Sequence, residues 1–179
     1  MGEAACSKFG RAQKWLRALY CGGTFAEESL LYWEQALPQA VFYGNLPGTR
    51  KGLGEGHTVL DLGAEEYTES APHPVFEPAL RNVKLKEALE DPAAAVVVFD
   101  VITGPGVHAH PADEAAKLCR EAIQKRGGAL AVVANVCGAE GDPQNVAEIV
   151  RTLKDAGVIV AGSNKESARI VAAILRRLV

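Results

Sequence analysis

The sequence has no long apolar run and little net charge, and each absence excludes a class of protein. None of its apolar stretches approaches the ~20 residues that a membrane-spanning helix needs, and its first fifteen residues lack the continuous apolar core of a signal peptide. The formal net charge is only -3, so the chain has no strongly basic field to attract nucleic acid or anionic lipid. We therefore expect a cytoplasmic protein that binds neither nucleic acid nor membranes.

Paired cysteines are also missing. Cys6, Cys21, Cys119 and Cys137 are scattered and form no CxxC motif, which argues against a zinc site and against a disulfide framework. No histidine near Cys137 in the sequence marks it as a nucleophile. We predict reduced, mostly buried thiols, with Cys137 as a buried structural residue, and we predict no metal site in the chain.

What the chain does contain is an alternation of short apolar runs and helical patterns. Six runs predict strands: LRALY, AVFY, TVLDL, AAVVVFDVI, ALAVVANV and GVIVAG. Apolar residues spaced by three and four predict helices over 25–37, 78–90, 111–125, 143–156 and 165–178. The best strands are apolar without alternation, which is typical of a parallel sheet covered on both faces. We predict a doubly wound α/β fold, with residues 1–15 as a lead-in and 16–179 as a single domain.

Glycines, acids and histidines follow the predicted strands, at the edge where ligands of parallel sheets usually bind. Asp100 and Asp61 each end a strand, where a carboxylate is costly to bury unless it is paired or hydrogen-bonded. His73 and His108 lie in the loops that follow, where they either contact a substrate or phosphate or are loop histidines without chemistry. The candidate catalytic residues are Asp100, His73 and His108.

The segment CGGTFAEE allows two interpretations of its glycines. Thr24 and Glu27 match a capping box, which predicts a helix that starts at Phe25. Gly22 and Gly23 then form either a plain tight turn or a turn that points bare backbone N–H groups at an anion, which the helix dipole also favours. The candidate phosphate- or anion-binding residues are Gly22, Gly23, Thr24, Gly104, Gly106 and Gly138.

Several ordered blocks carry a resemblance to a known family: GGTFAEE, TVLDLG, HPVFEPALR, DVITGPGVHAHPA and CGAEGDPQ. Together they resemble the carboxyl-terminal part of the FdrA family, which is similar to the acyl-CoA synthetases of the succinyl-CoA synthetase superfamily. The similarity covers residues 16–175. It implies a flavodoxin-like fold, chemistry on a small carboxylic acid or its activated acyl or carbamoyl derivative, and a phosphate held by the glycine turn before the first helix.

The chain departs from that pattern in three places. Succinyl-CoA synthetases carry a phosphorylated histidine in a loop after the strand that here reads ALAVVANV, whereas no histidine follows His110, so we expect no phosphohistidine. The segment ESAPHP lacks an arginine that is common in FdrA sequences shortly before the HP pair. No CoA fingerprint precedes Leu16. We therefore expect a carboxyl-terminal half whose partner is a separate, amino-terminal, CoA-binding FdrA-like polypeptide.

Three functions remain open on the sequence. The first is nucleotide-dependent acyl-CoA ligation. The second is carbamoyl transfer, as an oxamate carbamoyltransferase component in the degradation of purine-derived ureides. The third is a non-catalytic assembly module that completes an interface for a catalytic partner. The resemblance implies a small anionic substrate, an oligomeric assembly, and CoA, a nucleotide phosphate or Mg²⁺ as cofactors in the full complex.

Overall fold

The computed structural model describes residues 9–10, 12–52 and 55–178. Its strands are β1 (Trp15–Tyr20), β2 (Phe42–Gly44), β3 (His57–Asp61), β4 (Ala94–Ile102), β5 (Ala131–Cys137) and β6 (Ile159–Ala161). Its helices are α1 (Gly23–Ala36), α2 (Glu65–Thr68), α3 (Ala79–Glu90), α4 (Asp113–Lys125), α5 (Val146–Asp155) and α6 (Asn164–Leu175). No helix of the described ranges is long and apolar enough to cross a membrane.

The strands of the described residues form one parallel sheet in the order β2-β3-β1-β4-β5-β6. Five of them have the flavodoxin-type order, and β2 is added at one edge. The predicted α/β fold is confirmed, including the parallel arrangement of the strands that contain Leu19, Val97, Val133 and Ile159. Because β1 lies between β3 and β4, the order of the strands reverses at β1.

Both faces of the sheet are covered by helices, which explains the nearly continuous apolar strands. Helices α3, α4 and α5 pack on one face, in a core that includes Leu85, Cys119 and Leu153. Helices α1 and α6 pack on the other face, in a core that includes Trp33 and Val171. In β4 every residue except the last is buried, so this strand is the centre of the molecule.

The predicted helices are present, with shifted ends. The helix predicted over 111–125 begins at Asp113, with Ala112 as its N-cap. The expectation that Pro111 lies in its first turn was therefore wrong. Helix α2 was not predicted, because four residues are too few to show an apolar period. Hydrophobic patterns therefore located the longer elements and missed the shortest helix.

The predicted capping box over Thr24 and Glu27 is also wrong. Helix α1 starts at Gly23, two residues earlier than predicted, and its N-cap is Gly22, with no side-chain cap hydrogen bond. The cause lies in β4, whose Asp100 carboxylate accepts hydrogen bonds from the backbone N–H of Gly22 and of the residue before it. The chain has therefore turned into the helix before it reaches Thr24.

The cysteine prediction is confirmed in part. Cys21 and Cys119 are buried free thiols, but Cys137 is exposed, so its assignment as a buried structural residue was wrong. Cys137 is the last residue of β5, where the strand leaves the layers of helices. Cys6 lies outside the described residues.

Candidate functional site

The carboxyl ends of β1 and β4 meet at the switch point of the sheet, where doubly wound proteins usually bind ligands. A single carboxylate connects the two ends. Oδ1 of Asp100 accepts a hydrogen bond from the N–H of Cys21 at 2.7 Å, and Oδ2 accepts one from the N–H of Gly22 at 2.9 Å. Two predicted site residues from distant parts of the sequence, Gly22 and Asp100, are therefore in direct contact.

The absence of side chains at Gly22 and Gly23 lets two carboxylates approach the start of α1. A Cβ at Gly22 would lie 3.4 Å from Oδ2 of Asp100, and a Cβ at Gly23 would lie 2.7 Å from Oδ2 of Asp61. The second distance is shorter than real Cβ contacts, so a larger residue at Gly23 would displace Asp61. The two glycines therefore make room for both carboxylates, and their role in binding an anion stays a prediction.

The first turn of α1 retains donors that the described residues do not use. The N–H groups of Phe25 and Ala26 both donate to the carbonyl of Gly22. No hydrogen bond within the described ranges involves the N–H of Gly23 or of Thr24, as is normal for the first residues of a helix. These two donors are available to an anion, and the helix dipole favours negative charge there.

Asp100 is fully buried, and its surroundings have opposing effects on its pKa. Burial raises the pKa of the carboxyl group from 3.8 to about 6, while the N–H groups of Cys21 and Gly22 and the charge of Arg81 oppose that rise. The expectation that a buried carboxylate at this place is hydrogen-bonded is confirmed. Its catalytic role stays a prediction.

Arg81 is a buried cation that the sequence analysis missed. Its side chain is 3% exposed, and Nη2 donates to the carbonyl of Pro111 at 2.5 Å and to Oδ1 of Asn82 at 3.0 Å. Burial lowers the pKa of the guanidinium, and the electrostatic influence of Cys21 and Asp100 opposes that change. The helical spacing in the sequence could have predicted that Arg81 is buried, because it lies four residues before Leu85 on the buried face of α3.

Asp61 and His73 lie together at the end of β3. Oδ1 of Asp61 accepts from the N–H of Gly63 at 2.9 Å, and Nε2 of His73 lies 2.5 Å from the place that a Cβ on Gly63 would occupy. Burial raises the pKa of Asp61, whereas the hydrogen bond from Gly63 and the charge of His73 lower it. The two predicted residues therefore form one electrostatic unit beside the start of α1.

His108 does not join that unit through its ring. Its backbone N–H donates to the carbonyl of Val75 at 3.3 Å, so the loop after β4 lies against the loop of His73. Nδ1 of His108, however, accepts from the N–H of His110 at 3.1 Å, and His110 faces Asp113 at 3.4 Å on the surface. The described contacts of the His108 ring are thus within its own loop.

Gly104 and Gly106 lie in the loop after β4, which a side chain from the next loop holds in place. Oε1 of Gln144 accepts from the N–H of Gly104 at 3.0 Å, and Nε2 of Gln144 donates to the carbonyls of Gly104 and Val107. Both glycines have positive φ angles, 144° and 81°, which favour glycine. Backbone conformation explains these residues, and their role in binding anions stays a prediction.

Gly138 makes close contact with the end of β4. A Cβ there would overlap the hydroxyl of Thr103, which donates to Oδ2 of Asp142 at 2.5 Å. The same oxygen accepts from the N–H of Ala139 at 2.8 Å, and these two hydrogen bonds lower the pKa of Asp142. A structural role accounts for Gly138, and its anion-binding role also stays a prediction.

Asn164, at the start of α6, is a second residue that the sequence analysis missed. Its Nδ2 donates to the carbonyl of Phe25 at 3.0 Å and to Oε2 of Glu28 at 2.6 Å. Its Oδ1 accepts from the hydroxyl of Ser29 at 3.3 Å. Asn164 therefore fastens the first turn of α1 to α6 and helps to fix the direction of the unused N–H groups.

No side-chain cluster at this edge would hold a divalent metal ion by itself, among the residues that the structure describes. The described residues contain no group of three or more His, Cys, Asp or Glu side chains that could hold one. Each oxygen of Asp100 accepts one backbone N–H, and Mg²⁺ is usually bound by one or two carboxylates together with phosphates of the substrate. We derive no step through Mg²⁺ from these residues.

The strand order defines a doubly wound α/β domain, and its candidate site lies at the switch point. The CoA-ligase family matches residues 19–174. The chain therefore belongs to the CoA-ligase family, within the acyl-CoA and succinyl-CoA synthetase superfamily.

One curated relative is the uncharacterized protein YahF of Escherichia coli strain K12. The two are 33% identical over 161 residues, which cover 85% of this chain and 31% of YahF. This chain thus spans about a third of the relative's length.

Three solved structures share the fold. PH0766 from Pyrococcus horikoshii has a TM-score of 0.58 at 11% identity, over 98% of this chain and 40% of that one. An ATP citrate lyase of Methanosaeta concilii in complex with (3S)-citryl-CoA has a TM-score of 0.53 at 13% identity, over 93% and 25%. A dinucleotide-forming acetyl-coenzyme A synthetase of Ca. Korarchaeum cryptofilum, in complex with phosphate and ADP, has a TM-score of 0.51 at 15% identity, over 94% and 33%.

Proposed function

We propose that this chain is the ligase-type domain of an FdrA-like enzyme of the acyl-CoA synthetase superfamily. It acts on a small carboxylate or its activated acyl or carbamoyl derivative, together with a separate CoA-binding polypeptide, in a cytoplasmic oligomer. Membership of the CoA-ligase family supports this proposal. The span of about a third of YahF supports the need for further domains.

The observation that carries the proposal is the start of α1. The turn already binds one carboxylate, because the successive N–H groups of Cys21 and Gly22 donate to Asp100. The next two N–H groups, of Gly23 and Thr24, have no partner in the described chain, and they occupy the position where helices bind anions. A carboxylate or phosphate group of a substrate would accept hydrogen bonds from them.

Asp61 sets the electrostatic condition for that binding. Its Oδ2 lies close to Gly23, so its negative charge opposes an incoming anion. His73 offsets this charge when its ring is protonated, because the two groups interact electrostatically. A cationic side chain from the partner polypeptide would do the same. The site therefore binds an anion best in the assembled enzyme.

Carbamoyl transfer, as a component of an oxamate carbamoyltransferase, is the second candidate. The observation that favours it over phosphohistidine-dependent ligation is that no histidine follows His110 in the sequence. In its place, Gly138 follows Cys137 at the end of β5, and Asp142 holds the loop after β5 against Thr103. A carbamoyl group needs no phosphorylated histidine on this chain.

A titration of the full chain tests the proposal. Backbone amide resonances of Gly22, Gly23 and Thr24 are followed by NMR while inorganic phosphate, carbamoyl phosphate or oxamate is added. We expect saturable shifts of Gly23 and Thr24, and we expect Asp61→Asn to tighten binding about threefold to tenfold by removing a like charge. Asp155→Asn, an exposed carboxylate at the end of α5, is the matched control and should change nothing.

The ligands also separate the alternatives. Stronger binding of carbamoyl phosphate and oxamate than of inorganic phosphate would favour carbamoyl transfer. Amides that stay unshifted with all three ligands, in the wild type and in Asp61→Asn, would contradict the anion site. That result would favour the remaining alternative, a non-catalytic assembly module.

A further inference from the structure

A second site lies at the opposite edge of the sheet, where the strands begin. A cavity of about 660 Å³ opens there between the starts of β1 and β3 and the ends of α1 and α6. Its volume is in the range of cavities that bind small molecules. Because it is at the amino edge, it is separate from the candidate site at the carboxyl edge.

The wall of this cavity is mostly apolar. The segment between α1 and β2 contributes Leu37, Pro38, Ala40 and Val41, and the indole of Trp15 lies at the start of β1. Helix α6 and the residues after it add Leu175 and Leu178. Such a surface binds the apolar body of a ligand by removing it from water.

His57 is the most buried of the polar side chains that line this cavity. Its Nδ1 accepts a hydrogen bond from the N–H of Leu16 at 3.0 Å, so in the neutral ring the proton is on Nε2. Nε2 has no hydrogen-bond partner among the described residues, although the side chain is only 9% exposed. Trp15 and Phe42 hold the ring, each with a centroid distance of 5.4 Å. His57 therefore offers one fixed donor.

The charges around the cavity are of mixed sign with an excess of positive charge. Lys14 and Arg176 line it, opposed by Glu55. Nε and Nη2 of Arg176 donate to the carbonyl of Ala36, at 3.2 and 3.0 Å, which fixes the guanidinium at the rim. A ligand with a single negative charge complements this arrangement.

We propose that this amino-edge cavity binds a small monoanion with a largely apolar body. Its apolar part contacts the wall around Ala40 and Val41, an acceptor atom receives the Nε2–H of His57, and its charge lies near Lys14 and Arg176. The inference does not depend on the proposed function, because the two sites share no residue.

Octanoate and its neutral analogue octanamide test this inference by isothermal titration calorimetry on the full chain. We expect saturable binding of one octanoate per chain, with octanamide weaker. Lys14→Ala should weaken octanoate about twofold to fivefold, as expected for an exposed ion pair, and should leave octanamide unchanged. Lys165→Ala, an exposed lysine in the first turn of α6 at the other edge, is the matched control and should affect neither ligand.

A cavity-filling variant and the histidine ring locate the binding. Ala40→Phe should abolish octanoate binding while the circular dichroism spectrum is retained, and octanoate should shift the Nε2 resonance of His57 in the wild type. Equal affinity for the two ligands, or octanoate binding that is unaffected by Lys14→Ala, would overturn the inference. So would a dimer in sedimentation without octanoate binding, because a second copy would then be the occupant.

Discussion

Burial shifts two titratable residues at opposite edges of the sheet toward their neutral forms. The pKa of Asp100 is raised to about 6 at the carboxyl edge. The pKa of His57 is lowered from 6.5 to about 4 at the amino edge, first by burial and then by the positive charge of Arg17. Both shifts link protonation to folding, but with opposite signs.

For His57 the unfolded chain binds a proton below pH 6.5, whereas the folded chain binds it only near pH 4. Its contribution to stability is therefore complete above pH 6.5 and is lost as the pH falls from 6.5 to 4. For Asp100 the folded chain retains its proton up to about pH 6, so stability falls as the pH rises from 4 to 6. The two effects oppose each other, and a variant is needed to separate them.

The variant His57→Gln isolates the histidine. We expect the difference in unfolding free energy between the wild type and His57→Gln to decrease by up to about 3 kcal/mol as the pH falls from 7 to 4. The reason is that only the wild type gains a proton on unfolding at this position. Urea denaturation at several pH values measures the difference. A difference that is independent of pH would contradict the predicted shift.

At the scale of the elements, the helices of this fold start in two different ways. Helix α6 has a local cap, because the side chain of Ser163 accepts from the N–H of Glu166. Helix α1 has no side-chain cap, and the carboxylate of Asp100 binds the turn before it. The T-x-x-E pattern at Thr24 resembles a capping box but is not one, whereas S-x-x-E at Ser163 does cap its helix.

Alanine substitution at the two positions tests this difference. Ser163→Ala should lower the unfolding free energy by about 1 kcal/mol, the usual cost of removing an N-cap. Thr24→Ala should change it by less than about 0.5 kcal/mol, as is typical of exposed positions without a structural role. Midpoints of urea denaturation measure both. A loss at Thr24 as large as at Ser163 would show that Thr24 does cap α1.

At the scale of the whole molecule, β4 connects two hydrophobic cores. Phe99 faces the core formed with α3, α4 and α5, and Val98 faces the core formed with α1 and α6. Both side chains are fully buried. Phe76, by contrast, is 59% exposed in the loop before α3. Stability should therefore depend strongly on β4 and weakly on that loop.

Two phenylalanines provide a matched pair for this prediction. Phe99→Ala should cost about 3 to 5 kcal/mol of unfolding free energy, because it leaves a cavity in a close-packed core. Phe76→Ala should cost less than about 0.5 kcal/mol, because its ring is mostly in water already. Denaturant unfolding of the full chain measures both values. Similar losses for the two variants would contradict the assignment of β4 as the centre of the fold.

Periodic patterns determined most of the secondary structure of this protein. The six apolar runs became the six described strands, and the five longer helices lie where apolar residues recur every three or four positions. This success has a physical reason: the side-chain period of a helix or strand is a local property of the chain. The best of these strands, which are apolar without alternation, also indicated a parallel sheet with covered faces.

Tertiary structure alone decided the pairings at the two sites. The contacts of Asp100 with Cys21 and with Gly22 span 79 and 78 positions, respectively, and that of His57 with Leu16 spans 41. Such contacts depend on which strands are neighbours, and no local pattern encodes the strand order. That is why Asp100 and Gly22 were named only as separate candidates, and why the partners of Arg81 and His57 were missed. Their chemistry arises from burial and from partners that only the folded sheet brings close.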